Sequence, residues 1–504
     1  FTCSQATAAN ASVSSGTVQG IAYNKVTWTS ANVNTNTVLR CWIYRNNALV
    51  GVTPGQDTYF EDYGFGLNTA ASVPSYVPLT PPASAIPGYL ATTISSGGGT
   101  TTLTLAANAS TTVSGAAVLH DNVPALNAAA AAASGTQRSG VVFVPNSASS
   151  TPYQLNSVWQ SPGVRYILAG GFNVSQPILP ASGTTFEGWP GSAVISTPPF
   201  GRSYYAQITC GTGSGGVSGN GVCPFPFFYL LPTRTNIVLR NIQVTASTAQ
   251  AVALLADAAP DGSGSTYLIF DNSYFNMGAQ GTGLVIKGGF GFYFNNTGFN
   301  SANSAFGSPQ IVRFTTMNSG NIGANMAGIV HFADGVFNGT GVQLDTLPRP
   351  VTSTGGQQFS FRHTLFEGGT GNFLRVNIGG NAFSANYFLQ NVDYADPRGG
   401  TATPMIDITN STNVQGMDLA TLTSSNASQP LVVGNPFGLT IRGVIPASAG
   451  VGSANYVALT PNNFMDMHNV QVLASGVGMS VPVSPPSSTP TAVASAGGAV
   501  PLRV

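Results

Sequence analysis

Two ionisable residues that stand at the same position of a short repeat could form an acid–base pair. Asp334 and His363 occupy the third position in successive copies of a six-residue repeat, and Glu367 follows four residues after His363. A carboxylate beside an imidazole can move a proton to or from a reacting group. The alternative, which the pattern favours, is that Asp334 and His363 continue a structural row of polar side chains and hydrogen-bond to each other within it.

A second group supplies two carboxylates and an arginine within six residues. Asp393, Asp396 and Arg398 lie in the sequence NVDYADPRGG. Glycoside hydrolysis uses two carboxyl groups roughly 5 to 9.5 Å apart, so Asp393 and Asp396 are candidates for that chemistry. Asp-Pro followed by Gly-Gly is also typical of a turn, and a turn that carries a surface ion pair is the favoured alternative.

Acidic residues are otherwise scarce and scattered. The chain has three glutamates, Glu61, Glu187 and Glu367, and no two adjacent aspartates. No acid-rich stretch could hold calcium, and the four histidines form no close groups with cysteines that would suggest zinc. The sequence therefore predicts no metal site and no cofactor.

Four cysteines predict two disulfides. Cys210 and Cys223 bracket a Gly/Ser-rich segment, and Cys3 and Cys41 are the remaining pair. Paired cysteines in a chain with two lysines, Lys25 and Lys287, indicate an oxidising compartment. The chain starts with Phe1, as a mature secreted protein does once its signal peptide has been removed, so we expect an extracellular or cell-surface location.

An internal repeat sets the architecture. A unit of the form apolar-x-[Asn/Asp/His]-x-x-apolar recurs with a spacing of one β-helix coil, and two degenerate copies carry Gly at the polar position. The clear copies span residues 239–244, 270–275, 294–299, 332–337, 361–366, 389–394 and 467–472, and the degenerate copies span 414–419 and 441–446.

Stacked coils bring equivalent residues within about 4.8 Å of one another. The third positions then form a polar ladder at a bend, which suits asparagine because this residue tolerates left-handed backbone geometry. These positions are Asn241, Asn272, Asn296, Asp334, His363, Asn391 and Asn469. The sixth positions are predicted to stack as one apolar column of Val244, Phe275, Phe299, Phe337, Phe366, Tyr394, Leu419 and Val472.

Composition excludes several functions. Of 504 residues, 6% are charged, with 16 basic and 16 acidic side chains and no net charge. A nucleic-acid-binding protein needs a basic surface that this chain lacks. No apolar run approaches the roughly 20 residues of a membrane span, so we expect none. So few charges also leave little electrostatic defence against association.

One helix is predicted at the start of the repeat region. Asp121 or Asn122 is the expected N-cap, Pro124 lies in the first turn, and an alanine run extends to Ser134. With the strand sequence that follows from Gly140 to Pro145, this resembles the capping helix and first coil of pectate-lyase-like and phage-tailspike-like proteins. The resemblance implies a right-handed parallel β-helix and, by the habits of that superfamily, polysaccharide-processing chemistry.

We therefore expect an all-β chain with four parts. Residues 1–80 read as a small β-sandwich-like domain, weakly similar to a fibronectin-type-III domain, and residues 81–120 as a linker with a β-hairpin. Residues 121–475 are the β-helix solenoid, and 476–504 form a Pro/Ser-rich tail that ends in a short strand.

Two functions fit these features. The sequence favours a secreted structural or adhesive protein, such as the self-assembling subunit of a filament or surface layer, because few side chains are suited to catalysis. The alternative is a polysaccharide lyase, a glycoside hydrolase or a tailspike-like depolymerase, which the fold alone suggests. The expected partners are copies of the same chain, joined through their terminal segments, and an extracellular glycan.

Overall fold

The architecture is taken from a computed structural model. It describes residues 11–18, 21–28, 40–45, 48–54, 59–62, 92–97, 102–108, 120–134, 140–146, 152–174, 176–190, 204–210, 226–246, 252–257, 264–277, 282–301, 311–315, 328–338, 341–345, 356–367, 373–377, 384–395, 406–408, 414–424, 432–434, 438–446, 457–459 and 464–473. For some of these residues only the backbone is described.

The N-terminal part is antiparallel. Strands β1 (Ala11–Val18), β2 (Ile21–Trp28) and β5 (Tyr59–Asp62) form one sheet in the order β1-β2-β5, and β3 (Arg40–Arg45) pairs with β4 (Ala48–Pro54) in another. Short strands β6 (Ile94–Ser96) and β7 (Thr104–Leu105) form a hairpin within the segment predicted to contain one. Packing of the first two sheets into a sandwich stays a prediction.

The helix α1 (Val123–Ser134) closes the N-terminal end of the solenoid core. Asn122 is its N-cap residue, since the Asn122 carbonyl accepts the Leu126 amide, and the Asp121 carboxylate accepts the Val123 amide at 3.1 Å. Asp121 and Asn122 also accept backbone amides of the first coil, from Asn156 and Gln154. The buried face of the helix therefore covers the end of the apolar core.

The remaining strands are parallel and wind through three faces in each coil. In chain order they are β8 (Val141–Val144), β9 (Tyr153–Leu155), β10 (Trp159–Ser161), β11 (Arg165–Leu168), β12 (Gly170–Val174), β13 (Ile178–Pro180), β14 (Thr185–Gly188), β15 (Ala206–Cys210), β16 (Pro226–Leu230), β17 (Thr235–Arg240), β18 (Ile242–Ala246), β19 (Val252–Ala256), β20 (Thr266–Asp271), β21 (Tyr274–Met277), β22 (Thr282–Lys287), β23 (Phe290–Asn295), β24 (Gly298–Ser301), β25 (Val312–Thr315), β26 (Ile329–Ala333), β27 (Val336–Asn338), β28 (Val342–Asp345), β29 (Gly356–Glu367), β30 (Leu374–Asn377), β31 (Ser384–Ala395), β32 (Ile406–Ile408), β33 (Val414–Ser424), β34 (Val432–Gly434), β35 (Gly438–Pro446), β36 (Val457–Leu459) and β37 (Phe464–Leu473).

Face 1 begins each coil and consists of β8, β11, β14, β17, β20, β23 and β26, continued by the first halves of β29, β31, β33, β35 and β37. Face 2 follows after a bend and consists of β9, β12, β15, β18, β21, β24 and β27, continued by the second halves of the same long strands. Face 3 is a sheet in which 11 strands are described, from β10 to β36. The chain is thus an all-β parallel β-helix.

Side chains alternate between the interior and the surface along each strand. The interior is one continuous apolar core in which phenylalanines of successive coils stack, as in Phe270–Phe294–Phe332–Phe361, with ring centroids 4.4 to 4.9 Å apart. Ring planes in this column lie within 9° of each other. Stacked rings of equal size fill the coil without gaps, which explains why the repeat keeps an aromatic residue at these positions.

The predicted apolar column is correct up to Tyr394 and wrong at Leu419. Val244, Phe275, Phe299, Phe337, Phe366 and Tyr394 are in register on face 2. Leu419, however, pairs with Leu389 on face 1, and Ser424 follows Tyr394 in the column. The unit assigned to residues 414–419 is therefore displaced by five residues, because a copy without the ladder asparagine gives no local mark of the bend.

Candidate functional site

The bend between faces 1 and 2 carries the polar ladder. Every ladder residue from Asn241 to Asn391 has a positive φ, with values of 55° at Asn241, 44° at Asn272, 50° at Asn296, 54° at Asp334, 47° at His363 and 51° at Asn391. This left-handed conformation turns the chain through the bend within one residue. Asparagine is one of the few residues that adopts it at low cost.

The first three ladder side chains are hydrogen-bonded in a row. The Asn272 Nδ2 donates to Asn241 Oδ1 at 2.8 Å, and the Asn296 Nδ2 donates to Asn272 Oδ1 at 3.0 Å. The backbone N–H of each of the first four ladder residues, Asn241 to Asp334, donates to the carbonyl of the residue just before the ladder position of the next coil, as from Asn272 to Asn295 at 3.0 Å. Both the side chain and the backbone of the bend are therefore satisfied by stacking.

Asp334 and His363 occupy the next two ladder positions. The His363 Nδ1 lies 3.5 Å from Asp334 Oδ1, so the structure brings the predicted pair together. Both side chains point into solvent, with 61% of His363 and 65% of Asp334 exposed. Water screens such a pair, and no described group shields it for proton transfer, so the arrangement is that of a ladder that continues with ionisable side chains.

Glu367 does not join this pair. It lies on face 2, in register with Asn338, four residues after His363 along an extended strand of roughly 3.3 Å per residue. Asp393 lies in β31 and Asn469 in β37, each with only its backbone described. Asp396 and Arg398 lie outside the described residues. The second predicted group of catalytic residues therefore stays a prediction.

The cysteine pairings are not tested. Cys41 lies in β3 and Cys210 ends β15, while Cys3 and Cys223 lie outside the described residues. Among the residues that the structure describes, no three His, Cys, Asp or Glu side chains are close enough to hold a metal ion. Within the same residues, no helix is long and apolar enough to cross a membrane.

Sequence reasoning missed a cluster on the outer surface of face 1. The His331 Nδ1 is hydrogen-bonded to the Ser360 hydroxyl, and the His331 ring stacks on Tyr293 with centroids 5.4 Å apart. Burial and then the positive charge of Arg362 lower the pKa of His331 below its usual value. The residues share one outward column of adjacent coils, which the sequence could have revealed only through the register of the strands.

A second missed cluster lies on the outer side of face 3. The Lys287 Nζ lies 3.3 Å from Asp257 Oδ1, and the Tyr229 hydroxyl donates to Asp257 Oδ2 at 3.0 Å. No more than 2% of either ionic side chain is exposed. A buried pair of this kind holds because each charge compensates the other in a medium of low polarity. The only feature of the sequence that points to this cluster is that lysine is rare in the chain.

Basic and acidic side chains on face 1 form ion pairs between neighbouring coils. The Arg165 Nη2 lies 2.7 Å from Glu187 Oε2, and the Arg240 Nε lies 2.9 Å from Asp271 Oδ2. Arg240 also approaches Glu187 at 3.9 Å. These carboxylates therefore serve the stack and are not a pair facing a groove.

No family model and no curated protein matches this chain. Two solved structures are similar to it. One is "Geobacillus virus E2 - ORF18", at 11% identity and a TM-score of 0.27, over 71% of this chain and 59% of that one. The other is the Agl-KA catalytic domain, at 12% identity and a TM-score of 0.29, over 69% of this chain and 66% of that one.

Proposed function

We propose that the chain is a secreted structural or adhesive β-helix protein that assembles with copies of itself on or outside the cell. The observation that carries this proposal is the use of the carboxylates. Glu187, Asp257, Asp271 and Asp334 each contact a basic side chain of a neighbouring coil, and Asp121 holds the capping helix. Acids used in this way stabilise the stack and leave few groups for bond cleavage.

The outer surface of face 2 supports the same proposal. It carries a second row of amides and hydroxyls, in which the Asn300 Nδ2 donates to Asn276 Oδ1 at 2.8 Å and the Asn173 Nδ2 donates to Gln154 Oε1 at 3.0 Å. Amide and hydroxyl rows favour contact with other surfaces because they can exchange hydrogen bonds without removing full charges from water.

Negative-stain microscopy of the purified chain tests this function. We expect regular polymers or assemblies of defined size. Monodisperse single particles, together with release of sugar from acidic or neutral polysaccharides, would contradict the proposal.

A second function is favoured by one observation, the 3.5 Å approach of His363 to Asp334. In this alternative the chain shares the activity of the pectate-lyase-like and tailspike-like proteins that its sequence resembles, and the pair acts as acid and base on a glycan. Asp334→Asn and His363→Asn should then each abolish sugar release, while Glu187→Gln, which changes a structural ion pair, should retain it. Equal activity in all three variants would exclude the pair.

A further inference from the structure

Exposed large apolar side chains concentrate on face 1. Among the described residues of the β-helix, those at least 40% exposed are Val141, Phe143, Trp189, Tyr267, Phe290 and Phe388. Five of them belong to strands of face 1, and Trp189 directly follows the face 1 strand β14. They form two local ring contacts, Phe143 with Trp189 and Tyr267 with Phe290, and exposed apolar groups of this kind are candidate sites of interaction.

Face 1 also carries an arginine without a carboxylate partner. Arg362 is exposed, and no described acidic side chain lies within ion-pair distance of it, whereas Arg165 and Arg240 each have one. Face 2 carries an acidic side chain of the opposite charge. Glu367 has no basic partner among the described residues and points outward beside Asn338.

Among the described residues, neither of these two charges has an ion-pair partner in its own chain. They lie in the same strand, β29, on opposite sides of the bend at His363. Five residues separate them along the chain, so they are at most roughly 16 Å apart, and the bend shortens this distance. They belong to the same coil, however, so they stand at the same height along the axis of the solenoid.

We propose that the β-helices associate side by side and parallel, with face 1 of one chain against face 2 of the next and with Arg362 paired to Glu367 across the interface. Unlike surfaces meet in such an interface, so repeated contacts close into a ring when the rotation permits. This inference rests on the assembly proposed above and names the surface that forms it.

The dimensions of face 1 fit a second copy of the chain. The register from β8 to β31 spans eight steps of about 4.8 Å, or about 38 Å. The strands of face 1 are four to six residues long, so the strip is about 13–20 Å wide and covers about 500–760 Å², which at its upper end approaches the roughly 800 Å² that each partner contributes to a stable interface. The charged row of Arg165, Glu187, Arg240 and Asp271 is neutral, so it does not repel another copy.

Charge reversal tests the interface. Arg362→Glu and Glu367→Arg should each weaken association at least 10-fold, measured by sedimentation velocity over a concentration series, because like charges then face each other. The double variant restores an opposite pair at every interface and should return to within about 3-fold of the wild type. Arg375→Glu on face 3 is the matched control and should leave the molar mass unchanged, with circular dichroism to verify the fold of each variant.

Three results would overturn the inference. The wild-type chain could sediment as a monomer, the single reversals could leave association unchanged, or the double reversal could fail to restore it. If Arg362→Glu retains the assembly but loses retention on an acidic polysaccharide column, face 1 binds a glycan instead. Polymers that persist by microscopy in the single variants would place the assembly contact elsewhere and leave the proposed function standing.

Discussion

Removing one rung of the asparagine ladder should destabilise the protein by a predictable amount. Asn272 is the most informative position, because its side chain donates to Asn241 and accepts from Asn296. Two net hydrogen bonds of about 0.5–1.5 kcal/mol each are lost in Asn272→Ala. The backbone at Asn272 has φ of 44°, and a non-glycine side chain other than Asn or Asp costs about 1–2 kcal/mol there.

The loss expected for Asn272→Ala is therefore about 2–5 kcal/mol. Asn272→Gly separates the two contributions, since glycine adopts the left-handed conformation freely but makes neither side-chain hydrogen bond. It should lose about 1–3 kcal/mol and be about 1 kcal/mol more stable than the alanine variant. Asn300→Ala, which removes one hydrogen bond to Asn276 from an extended strand, should lose about 1 kcal/mol.

Urea unfolding, followed by circular dichroism, measures all three variants against the wild type. The reasoning is refuted if Asn272→Ala changes the midpoint no more than Asn300→Ala does. It is also refuted if the glycine variant is less stable than the alanine variant, because the bend would then not depend on left-handed geometry.

Other predictions concern buried polar groups. The Tyr166 hydroxyl is buried in the core without a described partner, and its burial raises the pKa of Tyr166, so Tyr166→Phe should leave the free energy of unfolding unchanged or raise it by about 1 kcal/mol. Tyr153→Phe, in contrast, removes the hydrogen bond to the Pro145 carbonyl and should lower the free energy of unfolding by about 1 kcal/mol, as measured by urea unfolding. Because the folded pKa of His331 is lowered, the unfolded chain binds the proton first, so stability should fall as pH drops through about 6.5, and His331→Gln should flatten that slope. Lys287→Met should cost about 3–5 kcal/mol by leaving the Asp257 charge buried, and the Lys287→Met/Asp257→Leu double variant should recover part of it in the same assay.

The solenoid and its ladder could be predicted from the sequence because a β-helix repeats its pattern in every coil. The positions from Asn241 to His363 each lie between apolar residues whose side chains enter the core, so one motif reports the bend, the interior column and the register together. The capping helix could be predicted for a different reason, since Asp121, Asn122 and Pro124 are local signals of a helix start.

The outer surface could not be predicted to the same extent. Contacts such as His331 with Ser360 and Lys287 with Asp257 join residues about thirty positions apart, and loops of variable length separate the coils. Only the strand register brings these side chains together. The displaced unit near Leu419 has the same cause, because the residue opposite Asn391 in this coil is Thr421, and without an asparagine the sequence does not mark the register.

A second row of left-handed residues was also missed. Asn236, Tyr267 and Gly291 are in register at the start of face 1, with φ of 56°, 55° and 76°. Three residue types with no common side-chain chemistry share this conformation, so no motif marks the position. The tyrosine is a strained choice there, and its exposed ring contacts Phe290, another exposed apolar residue of face 1.

The measurement that most directly tests the central claim is sugar release by the purified, assembled chain from a panel of acidic and neutral polysaccharides. If the carboxylates serve the stack and the surface serves contact, the assembled protein should release no soluble products above a buffer control. Sustained release that Asp334→Asn or His363→Asn abolishes would contradict the account and show that the exposed ladder pair is catalytic.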